Sequence, residues 1–310
     1  MSNPLVSICI PTYNREKYLK HTIESALKQT YSNIEIIVSD NASDDNTVNL
    51  VKSFKDKRIH LIVQKKNIGM VPNWNACIKK ARGEYIKFIA SDDLIDPNAV
   101  SQLVKPIHKD SSISIVTCKR RLIDETGKTI STLQYSNQNR KVDGMTHARW
   151  ILKNIRQNKI GEPTSTLFRH TDAIKAGLFD PQFSQFADFE FWIRLLAIGD
   201  LYYLNQALCS FRTHPDSGTT QSQYNGKYIS EIFKLIEKYY HNPKLKKTYG
   251  LTDKDETLVK NKRTLDIVKS IKDLFIQGNI TQAARFYSLL NQHLSLSKIS
   301  STTISHLLKS

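Results

Sequence analysis

The chain has 310 residues, 40% of them hydrophobic, and no apolar run of the length that a bilayer span requires, which excludes a disordered or helix-spanning membrane protein. That length accommodates one large domain with an appendage, or two modest domains. With 45 Lys and Arg against 29 Asp and Glu, the formal charge is +16, so any partner is expected to be anionic: a phosphorylated substrate, nucleic acid or an acidic membrane face.

The N-terminus runs directly into an apolar strand, without the basic region, apolar core and cleavage site of a signal peptide. Cys9, Cys77, Cys118 and Cys209 lie far apart and form no C-x-x-C pair, so buried free thiols are expected rather than disulfides or zinc. Both features point to the cytoplasm.

In chain order, the apolar run Leu5–Ile10 reads as a buried strand closed by Pro11, Thr12, Tyr13, Asn14 and Arg15. Leu19, Ile23, Ala26 and Leu27 then follow helical spacing. A second strand over 34–39 ends at Asp40 and a polar cluster to Thr47, before a helix with Val48, Val51 and Phe54. The third strand, 59–63, leads through Asn67 and Gly69 to a helix with Pro72 in its first turn and Trp74, Ile78 and Ala81 on one face. The strand 85–89 runs into Ser91, Asp92 and Asp93, and a helix from Pro97 carries Val100, Leu103, Val104 and Ile107. Such alternation with short connections predicts a parallel sheet covered by helices on both faces. Ligands of these sheets gather outside the carboxyl ends of the strands. Thr12, Asn14 and Arg15 therefore offer donors to a base or phosphate, and Asp40 suits the ring N–H of a uracil or thymine. Two adjacent carboxylates repel unless a cation or a proton separates them. A hard divalent ion shared with substrate phosphates would do so. Equally, Asp92 and Asp93 could form an exposed turn ahead of a helix capped by Asp96 and Pro97. The first loop holds no glycine, which disfavours Rossmann dehydrogenase chemistry.

Together these residues resemble the family 2 glycosyltransferases of the GT-A fold, the nucleotide-sugar-dependent enzymes that build bacterial polysaccharides. The matching pieces are Val6–Arg15, Ser39–Ser43, Asn67 and Gly69 with Asn73 and Asn75, and Ala81–Tyr85 leading to Ser91, Asp92 and Asp93. The resemblance runs over residues 4 to 215 and rests on the order of the set. It implies an α/β catalytic domain over 1–220, a Rossmann-like mixed sheet flanked by helices, with 221–310 as a basic helical extension. It also implies that Pro11, Thr12, Tyr13, Asn14, Arg15, Asp40, Asn67, Asn73, Ser91 and Asp92 hold the donor nucleotide. Asp92 and Asp93 correspond to the D-x-D-type site, with Mg²⁺ or Mn²⁺ resting mainly on Asp93 because Ala90 stands where the family often has an acid.

Further on, 113–118 reads as a strand, Asp124–Gly127 as a hairpin turn, and 135–145 as a loop over the site. A helix carries Trp150, Ile151 and Ile155, and a polar loop from Gly161 to Thr166 precedes a strand. Phe189, Trp192, Ile193 and Leu196 form the apolar face of another helix, with Asp188 at its start. Composition alone makes Asp188 an N-terminal cap. The resemblance makes it the catalytic base, with Ala187 replacing the usual glutamate beside it and Glu190 as the fallback. Arg212 and His214 match the closing Arg-x-His motif, which implies His214 as a metal or diphosphate ligand and a phosphate near Arg212.

Beyond residue 222, Ile229, Ile232, Phe233 and Ile236, then Leu265, Val268, Ile271, Leu274 and Phe275, repeat at helical spacing, and a third helix covers 281–290. These suit a small helical bundle packed on the catalytic domain, or a basic surface resting on an anionic bilayer at the inner face of the plasma membrane. The resemblance implies inverting hexosyl transfer from a UDP- or dTDP-sugar to a hydroxyl of a glycan or lipid-linked acceptor. Its rivals are a non-catalytic nucleotide-sugar-binding protein with a degenerate core, a nucleotidyltransferase lacking its Gly-rich loop, and a nucleic-acid-binding module without a recognisable signature.

Overall fold

The computed structural model describes residues 3–155, 158–215 and 217–294. It divides into two compact units, Met1–Ala148 with Asn158–His214, and Arg149–Gln157 with Pro215–Ser310. The boundary expected at residue 220 therefore falls at His214, and a short stretch after Ala148 joins the second unit.

In the first unit the elements run β1 (Val6–Thr12), α1 (Glu16–Leu27), β2 (Ile34–Asp40), α2 (Thr47–Ser53), β3 (Ile59–Val63), α3 (Met70–Lys80), β4 (Tyr85–Phe88), β5 (Leu94–Ile95) and α4 (Ala99–Lys109). Then follow β6 (Ile113–Ile123), β7 (Thr129–Leu133), β8 (Arg140–Val142), α5 (Gly144–Asn154), β9 (Thr166–Arg169), α6 (His170–Ala176), α7 (Ala187–Leu196) and β10 (Asp200–Arg212). The described strands form one sheet in the order β3-β2-β1-β4-β9-β6-β10-β5, with β7 on β6 and β8 on β10. β3, β2, β1 and β4 are parallel, as the strand–helix alternation predicts. β9 enters antiparallel to both β4 and β6, so the sheet is mixed. Residues 135–145, read from sequence as a loop, contain β8, whose pairing with Leu201–Tyr203 no local periodicity announces.

β1 and β2 are buried along their whole length, which is why they read as near-continuous apolar runs. Their polar exceptions are satisfied. Ser7 donates to Glu35 at 2.6 Å, and Arg82 donates to Glu35 through its backbone N–H at 2.7 Å and its Nε at 2.9 Å. Gly83 donates to Ser7 Oγ at 2.8 Å, and a Cβ there would lie 2.5 Å from Ser7 N, so only glycine fits. The Ala81–Tyr85 part of the sequence pattern is thus a clamp at the amino ends of the strands.

Opposite that clamp, the four parallel strands end together. Their loops after Thr12, Asp40, Val63 and Phe88 share one rim, as the register of Thr12 with Asp40 and Asp40 with Val63 requires.

The second unit is helical, with α8 (Gly218–Asn225), α9 (Lys227–Tyr240), α10 (Pro243–Thr248), α11 (Asp253–Ile276) and α12 (Ile280–His293). α9 buries Ile229, Ile232, Phe233 and Ile236 as its spacing predicts. Thr252 opens α11 through a reciprocal capping box with Asp255. Tyr240 donates to the Leu152 carbonyl at 3.0 Å and Lys153 pairs with Asp255 at 3.2 Å, which ties the end of α5 into this bundle. Part of the basic excess is internally paired, as Lys246–Asp253, Lys260–Glu256 and Arg263–Asp266. No described helix is long and apolar enough to cross a membrane.

Candidate active site

One loop touches two carboxylate centres. The first lies in the turn after β4. Asp93 is fully buried: Oδ1 accepts from the Arg212 backbone N–H at 2.8 Å and Oδ2 from Thr164 Oγ1 at 2.5 Å. Burial raises its carboxyl well above the usual range, and the Asp92 charge adds to the shift. Asp92 is only half-buried, and its Oδ2 lies 2.9 Å from His214 Nε2 and 3.9 Å from Arg15 Nε. The sequence reading rests a cation mainly on Asp93. Its oxygens serve backbone and hydroxyl donors inside the protein, while the Asp92 carboxylate is the one facing an imidazole. The alternative of a turn before a helix capped by Asp96 fails, because Asn98 takes the cap position and Asp96 forms a forked ion pair with Arg121 at 2.5 and 2.6 Å.

Arg212, placed near phosphate by the sequence reading, bonds three carbonyls of the protein. Its Nε donates to the Asp92 carbonyl at 2.9 Å, and Nη1 donates to the carbonyls of Asp124 and Glu125 at 3.0 Å each. The guanidinium lies over the Tyr18 ring at 5.1 Å, and that ring packs against His214 at 4.9 Å. Arg212 thus fixes the Asp92–Asp93 turn to the β6–β7 hairpin and leaves His214 braced on α1.

On the side where the sequence reading expects the nucleotide, the structure brings the β1 loop onto the β2 loop. The Asn14 backbone N–H donates to Ser43 Oγ at 2.9 Å, the Asp44 N–H to Asn14 Oδ1 at 3.1 Å, and the Arg15 N–H to Thr47 at 2.9 Å. Asn14 adopts the left-handed region, φ 50°, which suits Asn better than most residues. Asp40 is fully buried and accepts from Ser43 Oγ at 2.5 Å and Ser43 N–H at 2.9 Å, so in this arrangement it organises the loop. Thr12, beside it in register, buries a hydroxyl with no hydrogen-bond partner among the described residues, and Pro11 is buried in the same strand. Tyr13 stands 41% exposed at the rim. Asn73 accepts from Ser39 Oγ at 2.7 Å and donates to the Ser39 carbonyl at 2.8 Å while almost wholly buried, which braces the end of β2. Asn67 is exposed and accepts from Asn41 and from the Gly69 N–H, both at 2.9 Å. Ser91 is buried beside Asp92.

The second centre is Asp188 in the first turn of α7. Its Oδ1 accepts from the Phe189 N–H and its Oδ2 from Asn158 Nδ2, both at 2.7 Å. Asp188 keeps some solvent contact, yet burial pushes its carboxyl up to about 7. The hydrogen bond from Phe189 opposes that shift, the Glu162 charge reinforces it, and Asn158 opposes it. Below it, Phe189, Trp192, Ile193 and Leu196 are core, as their spacing predicts. Glu190, the fallback base, is fully buried and forks onto Arg194 at 2.6–3.0 Å one turn on, an internal ion pair.

The loop 158–165 links the two centres. Asn158 donates to Asp188 and closes a turn with Gly161, whose N–H it accepts at 3.0 Å. Glu162 pairs with Arg120, and its charge reaches both Asp93 and Asp188. Thr164 donates to Asp93, accepts from the Ala90 N–H at 3.0 Å, and has its carbonyl bound by the buried Lys87 ammonium. Sequence reading missed Asn158 and Lys87 as parts of the site, and took Thr164 only as part of a polar loop. Lys87 alone carried a signal, being a cation inside an apolar strand. Asn158 and Thr164 lie 30 and 71 residues from the carboxylates they serve, where spacing carries no information.

Residues 7–174 match the family model described as Glycosyl transferase family 2. An uncharacterised glycosyltransferase of Rickettsia typhi is 31% identical over 224 residues, 72% of this chain and 68% of the relative. A chondroitin synthase of Escherichia coli is 29% identical over 250 residues, 77% of this chain but 34% of that longer protein. The crystal structure of S. aureus TarS 1-349 in complex with UDP-GlcNAc superposes with a TM-score of 0.69 at 16% identity, covering 93% of this chain and 80% of the other, and shares its fold. The chain belongs to glycosyl transferase family 2, with a GT-A-type α/β core, and is a glycosyltransferase.

Proposed function

We propose that this glycosyltransferase moves a sugar from a UDP- or dTDP-sugar to an acceptor hydroxyl with inversion, in the assembly of a cell-surface polysaccharide or glycan. The observation that carries this reading is one loop joined to two unlike carboxylates: Thr164 bonds Asp93, whose neighbour Asp92 faces His214, and Asn158 bonds Asp188, whose carboxyl is raised to about 7. The crystal structures of TarS 1-349 in complex with UDP-GlcNAc and with UDP support a uridine nucleotide as the first choice of probe.

Asp92 and His214 are the residues that would hold a divalent cation. No cluster of three or more His, Cys, Asp or Glu able to hold a metal occurs among the described residues. A two-residue set fits an ion that completes its shell with diphosphate oxygens and water, with Mn²⁺ more tolerant of the imidazole than Mg²⁺. When bound, Mg²⁺ or Mn²⁺ supplies neutralisation of the charge that builds on the departing diphosphate.

The chain's own residues do the rest. The β1 and β2 loops, with Asp40 and the buried Thr12 hydroxyl between them, receive the nucleoside. Asp188, in its ionised form, accepts the proton of the acceptor hydroxyl as its oxygen bonds to the anomeric carbon. The bond from that carbon to the diphosphate breaks, and its electron pair leaves with the nucleotide. The transition state is expected to be oxocarbenium-like, by analogy with glycoside hydrolysis. A carboxyl near 7 suits this task, because a base poised near the working pH combines ionisation with proton affinity.

Calorimetric titration of UDP, with and without Mn²⁺, into the wild type, Asp92→Asn and Asp93→Asn tests the donor half. Metal-dependent binding that survives in Asp93→Asn and disappears in Asp92→Asn is expected. Absence of UDP and dTDP binding under every metal condition would overturn the donor assignment.

A further inference from the structure

The tip of the α11–α12 hairpin holds large apolar side chains in water. Phe275 is 65% exposed, Ile276 71% and Ile280 62%, and Tyr287 further along α12 is 52% exposed. α12 buries Ala283, Phe286 and Leu290. Ile280, Ala284 and Tyr287, at i, i+4 and i+7, form a second stripe that stays exposed. On α11 the buried residues are Val259, Arg263, Thr264 and Ile267, and none follows Ile267 to the helix end.

This exposure is built into the turn. The Gly278 N–H donates to the Phe275 carbonyl at 3.1 Å and the Asn279 N–H to the Leu274 carbonyl at 2.8 Å, with Gly278 at φ 78°. That is the Schellman closure of a helix end, and it fixes the backbone locally. Phe275, Ile276 and Ile280 are thereby held out at the apex.

The charges around the tip are also left open. Lys269, Lys272 and Arg285 are exposed and form no ion pair among the described residues. By contrast, Lys246, Lys260 and Arg263 nearer the other end of α11 are paired with acids of this unit. Lys269, Lys272 and Ile276, at i, i+3 and i+7, share one stripe, so unpaired cations sit directly behind the apolar apex. Asp273 is the only acid between residues 267 and 294.

We infer that this tip is a wedge for an anionic lipid surface, with Phe275, Ile276 and Ile280 entering the acyl boundary and Lys269, Lys272 and Arg285 meeting acidic headgroups. An apex of three side chains offers a few hundred Å² at most, roughly half or less of the ~800 Å² per partner of a standard protein interface. A bilayer accepts a narrow wedge, and interfacial binding combines just these two ingredients, buried apolar area and attraction to anionic lipid. The inference does not depend on the donor or on the base.

The test is flotation of the full chain with vesicles of phosphatidylcholine alone or mixed with phosphatidylglycerol. Binding to the mixed vesicles, weakened by salt, is expected. The variant Phe275→Ser/Ile276→Ser/Ile280→Ser should lose at least about a hundredfold in partition, since each inserted side chain contributes about tenfold or more. Lys269→Gln/Lys272→Gln should lose about fivefold per cation at low salt. Circular dichroism checks the fold, and the single Ile276→Glu variant carries the test if the triple does not fold. The inference is overturned by a wild type that ignores anionic vesicles, by equal binding to phosphatidylcholine alone, or by variants that bind as wild type does. It is equally overturned if light scattering shows a wild-type dimer that Ile276→Glu converts to a monomer, which would make the tip an interface between two copies.

Discussion

Replacing Asp188 by Asn removes one proton acceptor while keeping the shape of the side chain. Oδ1 can still accept from the Phe189 N–H, but the position facing Asn158 Nδ2, now 2.7 Å from a carboxylate oxygen, would carry an amide. Positioned general bases contribute about 10²–10⁴-fold, so kcat should fall by that factor. The β1 and β2 loops and the Asp92–His214 pair are untouched, so UDP affinity should hold within about threefold, or ~0.6 kcal/mol. The pH dependence follows from the raised carboxyl. Asp188 acts ionised, so kcat/KM in the wild type should rise tenfold per unit as pH climbs toward about 7 and then level. In Asp188→Asn this limb should vanish from the residual rate. Stability moves the opposite way. An acid whose folded value lies above its ordinary 3.8 binds its proton more tightly in the folded state, so its contribution weakens as pH rises from about 4 to 7. The assay is release of UDP from the donor that titration and hydrolysis screening select, at saturating acceptor and across pH. Turnover of Asp188→Asn within tenfold of wild type, or loss of UDP binding in parallel with turnover, would refute the assignment.

Four other outcomes are expected. Asn158→Ala deletes a hydrogen bond to the ionised form of Asp188; such bonds are worth about 1.5–3 kcal/mol, so the acid limb should move up by about one to two pH units, and an unmoved limb argues against the contact. His214→Ala should abolish Mn²⁺-enhanced UDP binding, whereas Asp93→Ala, which strands the Arg212 N–H and the Thr164 hydroxyl, should instead destabilise the fold by about 2–4 kcal/mol in chemical denaturation. Glu190→Ala leaves Arg194 without its forked partner and should cost about 3 kcal/mol of stability, with the pH limb of turnover unchanged.

Much of the fold was legible along the chain because its signals are local. Apolar runs ending in polar loops marked β1 to β4, and helical spacing marked the buried faces of α1, α4, α7 and α9. The order of short motifs sufficed for the family, since each motif is a loop following its own strand. What lies across the sheet was not legible. Whether β9 runs antiparallel, and that β8 pairs with β10, depends on partners tens of residues away.

The same limit separated the two adjacent aspartates. Sequence determined that Asp92 and Asp93 stand at a strand end, but only the tertiary structure decided their roles. The chain turns between them, aiming Asp93 inward at Arg212 and Thr164 and Asp92 toward His214, 122 residues away in sequence. Burial then sets their chemistry, because a carboxyl enclosed by donors becomes part of the frame and one left half-open remains available to a ligand. Asp188 and Glu190 divide in the same way, two positions apart on one helix. Residue type and periodicity are written in the chain, whereas solvent access and partners arise only when distant segments pack.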